Sequence, residues 1–423
     1  STCHGKTMRT AITNASQIVT VDTSGKNGKR GAEMGVVSPL EDHALIIESG
    51  KIADIIPSRS LRKAHPDRKI DVKGKTVLPG IIEAHTHAVF AGSRANEFRM
   101  KLNGATYDQI AAAGGGINTT VASVRSASVP TLFKSSQKIV QKFIAQGVTT
   151  LEIKSGYGLD AENELKILSV IAKLRRSASI EIIPTFLGAH TIPKEYKSKR
   201  SEYLDLIINS MLPSVAYGKL AEFCDGFCET SAFTPKEIDA VFAAAQKVGL
   251  KLKLHTDQFN SIGGLEVALK RNAISVDHLE VLPEEKIPAL ASSSTVSVLL
   301  PGVSYFLRYN YAPARKLIDQ NGLVSLAIDY NPGSSHISNI YLIMSLAAMN
   351  MGMTPEEVLS AYTINAARSV DRHHTKGSIE IGKDADFAIL DYPDYSGIFY
   401  NPGENACSMT IARGEIIHQQ SPN

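Results

Sequence analysis

His85-Thr86-His87 is the first place in this sequence where side chains are spaced to do chemistry together. On an extended strand, residues two apart point to the same side, so both imidazoles can converge on one ion. Neutral imidazole suits Zn²⁺, and also Fe, Ni or Cu. The pair closes a short apolar run, Pro79-Gly80-Ile81-Ile82-Glu83-Ala84. His255, His278 and Asp329 end comparable runs, Glu229 ends another, and His190 lies just past one more. Each alone has a plainer reading: His255 as a satisfied core histidine, His278 as a supporting group, Asp329 as a turn residue ahead of Asn331-Pro332-Gly333. Together they read as a metal site. His255 is then a ligand, Asp329 has metal or proton-transfer duty, and His278 is catalytic.

Eight strand-like runs must carry these groups: 78–84, 149–153, 181–187, 225–229, 251–254, 274–277, 295–299 and 324–328. Between them, stretches such as 131–146, 161–176, 235–248, 263–271 and 284–290 repeat apolar residues at helical spacing. Eight such alternations predict an α/β fold, a (β/α)8 TIM-type barrel, whose catalytic groups stand at the C-terminal ends of the strands. Five of the twelve histidines fall at such ends. Residues 1–76 and 377–423 hold β-type runs too small for a good core apart. The expected division is a barrel over 77–376 and one small β-sandwich-like domain built from both chain ends. Residues 24–42, polar and glycine-rich, read as a long exposed loop, and residues 1–7 as an addition ahead of a start at Met8.

Composition narrows the class. The 423 residues are 43% hydrophobic and 21% charged, which is enough apolar material for a sizeable core and rules out global disorder. A net charge of +3 gives no electrostatic case for nucleic acid or an anionic membrane. No run is long and apolar enough to suggest a spanning helix or a secretory signal. Four cysteines are too few for a disulfide framework, so reduced thiols in the cytoplasm are expected, with Cys224 and Cys228 buried and structural. Gly114-Gly115-Gly116 lacks the lysine and Ser/Thr of a phosphate loop and reads as a mobile lid.

Pro79-Gly80-Ile81-Ile82-Glu83-Ala84-His85-Thr86-His87 resembles the opening metal motif of the metal-dependent amidohydrolases, and Gly377-Ser378-Ile379-Glu380-Ile381-Gly382-Lys383-Asp384-Ala385-Asp386 their closing β segment. Several linked blocks resemble the imidazolonepropionase family within that group. They run from His85 to Arg94, from Ala112 to Ile117, from Glu152 to Tyr157, from Phe186 to His190, from Phe227 to Glu229, from Asp277 to Glu280 and from Asp329 to Ser334. The resemblance implies one divalent metal per subunit, Zn or Fe, held by His85, His87, His255 and Asp329. It implies substrate contacts from Arg94, Tyr157, His190, Asn331, Gly333 and Ser334, and a homodimer. No lysine ends the run 225–229, which supports a single metal.

The implied substrate is a small molecule with a carboxylate tail, 4-imidazolone-5-propanoate, opened by water at its cyclic amide. Arg94 offers a fork that matches the tail. Asp329 would carry the water proton to the leaving ring nitrogen, while His278 orients the water or steadies the oxyanion. Some relatives carry glutamate at position 258; Gln258 can hydrogen-bond the ring but cannot take a proton. Glu83 stands where many relatives have aspartate, with no functional consequence expected. The competing reading is another amidohydrolase, such as a nucleobase deaminase.

Overall fold

The computed structural model describes residues 7–421; the expectation about residues 1–7 lies, except for Thr7, outside them. Eight parallel strands follow one another in chain order around a curled sheet: Ile81–Glu83, Val148–Lys154, Glu181–Ala189, Phe223–Cys228, Lys251–Thr256, Ser275–His278, Val296–Leu299 and Val324–Leu326. The last strand meets the first just beyond their ends. Asp329 N–H donates to His85 O at 3.0 Å, and His87 N–H donates to Tyr330 O at 2.9 Å. This is the (β/α)8 barrel expected.

The helices outside form for ordinary reasons. Val129–Ile144 starts at a Ser128 cap with proline in its first turn, and its Leu132, Ser136, Ile139, Val140 and Phe143 share the inward face. Pro235–Lys247 opens with a Thr234/Glu237 capping box and buries Ile238, Val241, Phe242 and Ala245.

Glu83 fastens the seam. One oxygen accepts the N–H of Ile328 at 3.0 Å and of His85 at 3.2 Å; the other accepts the Tyr362 hydroxyl at 3.0 Å. All of this is buried. Glu83→Ala strands three donors, so we expect it to cost about 3 kcal/mol of stability. Urea or thermal melts check this, and an unchanged midpoint would show that the seam holds without the carboxylate.

The chain ends form two sheets. Arg9–Thr13, His43–Glu48, Lys51–Pro57 and Arg68–Asp71 make a four-stranded sheet. Gln17–Val19, Pro39–Leu40, Thr76–Pro79, Phe387–Leu390, Cys407–Ala412 and Glu415–Gln419 make a six-stranded one. Ile12, Leu45 and Ile70 from the first pack with Ile18, Val77, Phe387 and Ile411 from the second. The run 78–84 is therefore two strands in two sheets. They divide at Gly80, where a Cβ would stand 2.1 Å from Thr149 Oγ1.

Residues 24–42 are an exposed loop only in part. They include a short 3-10 helix, Gly31–Gly35, with Met34 buried. Lys29 is buried too: its Nζ donates to Val36 O and its N–H to Asn365 Oδ1. A polar stretch folds inward here because the barrel's outer helices satisfy its backbone.

Candidate active site

Parallel register brings the strand ends to one level: His255 lies beside Asp277, and Thr256 beside His278. The backbone there turns sharply. Asp257, His278, Leu279 and Asp329 have φ of 54, 90, 68 and 51°. Such values in non-glycine residues cost energy and cluster at functional sites. The turns leave His85, His87, His255, His278 and Asp329 buried together at the mouth of the barrel.

Asp329 Oδ1 lies 3.2 Å from both His85 Nε2 and His87 Nε2, and its Oδ2 lies 3.7 Å from His278 Nε2. The rings of His85 and His255 are 4.6 Å apart. Within each of two sets, His85/His87/Asp329 and His85/His255/His278, the donor atoms lie within 4.8 Å of one another. Yet His85 Nε2, His255 Nε2 and Asp329 Oδ1 have no hydrogen-bond partner. Buried polar atoms are rarely left so. Nitrogen and oxygen lone pairs converging without hydrogen bonds are what a metal ion requires, so the residues present fit one.

Without an ion, the negative charge of the nest acts on His85 instead. Burial and Lys154 oppose charge on His85, but Asp329 and Asp277 outweigh them and lift it to about 9. Burial pushes His87 well below the usual imidazole value. The nest holds carboxylate charge that wants a cation.

Carboxylates behind the rings aim them. His85 Nδ1 meets Asp277 Oδ2 at 2.5 Å, His255 Nδ1 meets Asp225 Oδ1 at 3.0 Å, and His278 Nδ1 meets Glu280 Oε1 at 3.1 Å. Such partners fix the tautomer of a metal-binding histidine and raise its basicity. His87 has no such partner on Nδ1; its ring lies against His190, with centroids 5.4 Å apart and planes 13° apart. Glu229 does not face the nest. It accepts the N–H groups of Phe259 and Asn260 at 3.1 Å and anchors the loop after the fifth strand.

Next to the nest is a cavity of ≈ 430 Å³, and Arg94, Tyr157, His190, Gln258, Asn331, Gly333 and Ser334 all line it. Their positions have local causes. Gly156, at φ +113°, passes so close to the His190 ring that a Cβ would stand 2.9 Å from Nδ1. Its carbonyl accepts from that nitrogen at 2.8 Å. Burial holds His190 down to about 4, so it is neutral with an Nε2 lone pair to offer. Tyr157 packs on the rings of His87 and His190.

Glu97 holds Arg94 by two hydrogen bonds, Nε at 2.9 Å and Nη2 at 2.8 Å, which leaves the Nη1 edge free. A Cβ on Gly333 would come 2.1 Å from Nη1. Asn331 spends its amide on the turn itself: it donates to Asp329 O and Ser334 Oγ and accepts the N–H groups of Gly333 and Ser334. Glu97 and Lys101, which sequence reasoning did not single out, also line the cavity. Glu97 further accepts Gly116 N–H at 2.9 Å, tying the glycine-rich segment to the Arg94 helix.

The amidohydrolase family model matches residues 76–417. The chain belongs to the amidohydrolase family. This amidohydrolase is 42% identical over 413 residues to an imidazolonepropionase of Clostridium tetani (strain Massachusetts / E88), covering 97% of this chain and 98% of that one. It is 43% identical over 411 residues to one of Alkaliphilus metalliredigens (strain QYMF), covering 96% and 97%. Within the family it therefore groups with the imidazolonepropionases. Among solved structures it resembles a zinc-bound adenosine deaminase of Xanthomonas campestris, with a TM-score of 0.73 and 16% identity over 97% of this chain and 92% of that one. It also resembles a 5-methylcytosine deaminase of Klebsiella pneumoniae, with a TM-score of 0.74 and 16% identity over 98% of each. At that identity the likeness is one of fold. No helix among the described residues is long and apolar enough to cross a membrane.

Proposed function

We propose that this amidohydrolase is an imidazolonepropionase, opening the cyclic amide of 4-imidazolone-5-propanoate with water to give N-formimidoyl-L-glutamate. One observation carries the reading. A single cavity has a forked cation, Arg94, on its wall and a nest of buried imidazoles with Asp329 beside it. The near full-length imidazolonepropionase relatives support it.

His85, His87, His255 and Asp329 are the assigned ligands of one divalent ion, zinc or iron. An ion held there would supply Lewis acidity, lowering the pKa of a water and polarising the ring carbonyl. Asp329 takes the proton as the water oxygen bonds to the carbonyl carbon, and gives it to the ring nitrogen as the carbon–nitrogen bond breaks. Burial opposes charge on His278, but Glu280 and Asp329 outweigh it and raise the ring above the usual imidazole value. Nε2 then donates to the carbonyl oxygen as negative charge grows there.

His190 Nε2 accepts a ring N–H, Gln258 hydrogen-bonds the ring, and Tyr157 packs beside it. Arg94 takes the propanoate with its free edge, and Gly333 and Ser334 form the wall behind. The barrel, from Ile81 onward, carries the chemistry. The strands between residues 9 and 79 and between 387 and 419 form the supporting β unit. The working form proposed is a cytoplasmic homodimer.

Gly333→Ala would push the guanidinium aside. KM should rise about tenfold or more, roughly the worth of one charge-assisted contact, with kcat changed far less. Michaelis curves check this; an unchanged KM would remove Arg94 from tail binding. A nucleobase deaminase offers the Arg94 edge nothing to bind, since a neutral base has no carboxylate. Anaerobic incubation with freshly made substrate, following loss of its ultraviolet absorbance and any ammonia release, separates the two. Ammonia release from a nucleobase with no ring opening would overturn the assignment.

A further inference from the structure

Beneath the ligand nest lies a layer of charge that no step above uses. Lys154 ends the second barrel strand and is completely buried. Its ammonium meets Glu152 Oε2 at 2.5 Å and Asp225 Oδ2 at 2.9 Å. The other oxygen of Asp225 takes the hydrogen of His255 Nδ1 at 3.0 Å. Glu152 reaches the other side of the nest: its Oε1 accepts Thr86 N–H at 3.3 Å, and its carbonyl accepts the Thr86 hydroxyl at 2.6 Å. Lys154 N–H donates to Thr86 O at 3.0 Å. Thr86 is the spacer between His85 and His87. One buried lysine and its two carboxylates therefore touch the mountings of three of the four assigned ligands.

A buried ion cluster of this kind is a poor way to gain stability, because desolvation cancels most of the attraction. It is a good way to fix geometry. With the ammonium on Oδ2, Asp225 stays in place and holds His255 with its Nε2 lone pair turned into the nest. Without the ammonium, Asp225 and Glu152 face each other as buried like charges, and their other donors, Gly226 N–H on Asp225 and the Thr185 hydroxyl and Thr86 N–H on Glu152, are neutral.

We propose that Lys154, acting through Asp225 and Glu152, is a positioning residue that sets the metal affinity of the nest. The inference rests on the ligand assignment above. The test is chelator competition with zinc as the probe, on the full chain. Wild type, Lys154→Met, Asp225→Asn and the double variant are compared, each confirmed as folded by circular dichroism and by a melt in chelator.

Lys154→Met should weaken zinc binding about 10–100-fold, the range seen when a ligand's supporting partner is lost. Asp225→Asn should do much the same. The double variant should bind about as the weaker single does, because both changes remove one support. A purely structural lysine would lower the melting point and leave zinc affinity alone.

Wild-type affinity in Lys154→Met, or losses that simply add in the double variant, would overturn the proposal while leaving the ligand assignment standing. Failure of wild type to bind zinc would overturn both. Should Lys154→Met not fold, Glu152→Gln/Lys154→Met removes one carboxylate with the ammonium. It is then measured against Glu152→Gln, with the same expected loss and the same overturning result.

Discussion

Asp329→Asn is expected to lower kcat by about 10³–10⁴-fold, near the upper end for loss of a positioned proton carrier. The side chain keeps its size and one oxygen, so packing should survive. What goes is the charge and the ability to hold a proton. In the folded protein burial works to raise this carboxyl, yet His85 and His87 overcome it and keep it well below the usual carboxylate range. The group is therefore an anion when water arrives. With Oδ1 3.2 Å from His85 Nε2 and His87 Nε2, two assigned ligands, and Oδ2 3.7 Å from His278 Nε2, it stands between those ligands and His278. Because asparagine also weakens the ligand set, kcat is measured with saturating zinc and the metal content determined alongside. Recovery to within tenfold of wild type on reloading would make Asp329 a ligand only.

His278→Ala should lower kcat by about 10²–10³-fold while KM stays within about threefold. In the proposed reaction the ring donates where charge develops, not where the substrate is already bound, so its loss should appear in turnover. Glu280 supplies a graded control. Its carboxylate holds His278 Nδ1 at 3.1 Å and favours the doubly protonated ring. Glu280→Gln should then lower kcat by a smaller factor in the same direction. Full Michaelis curves decide; near-normal turnover in His278→Ala would remove it from the reaction.

The strand-end residues were legible in the sequence because the barrel rule converts position into role. His85, His87, His255, His278 and Asp329 each close an apolar run, and the structure brings all five to one nest. The layer below them was harder to see. Glu152-x-Lys154, Lys253-x-His255 and Ser275-x-Asp277 place polar residues at every second position of buried strands. That is the signature of an interior-facing row, masked because each run also reads as an ordinary apolar strand with a few charges. Which carboxylate meets which imidazole depends on contacts across the barrel, such as His85 with Asp277, 192 residues apart.

Glu83, for which no functional consequence is expected, has a structural part that the sequence does not announce: its side chain spans the seam from Ile328 to Tyr362. Nothing local signals a seam. The division of the first run at Gly80, and the inward folding of residues 24–42, likewise follow from neighbours contributed by distant parts of the chain.

The most direct measurement is the mass of the product formed anaerobically from 4-imidazolone-5-propanoate in oxygen-18 water by metal-loaded protein. Ring opening by water predicts N-formimidoyl-glutamate carrying a single heavy oxygen, in the newly formed carboxylate, with no ammonia. Substrate left intact by protein of full metal content, or a product that has lost ammonia, would contradict the account.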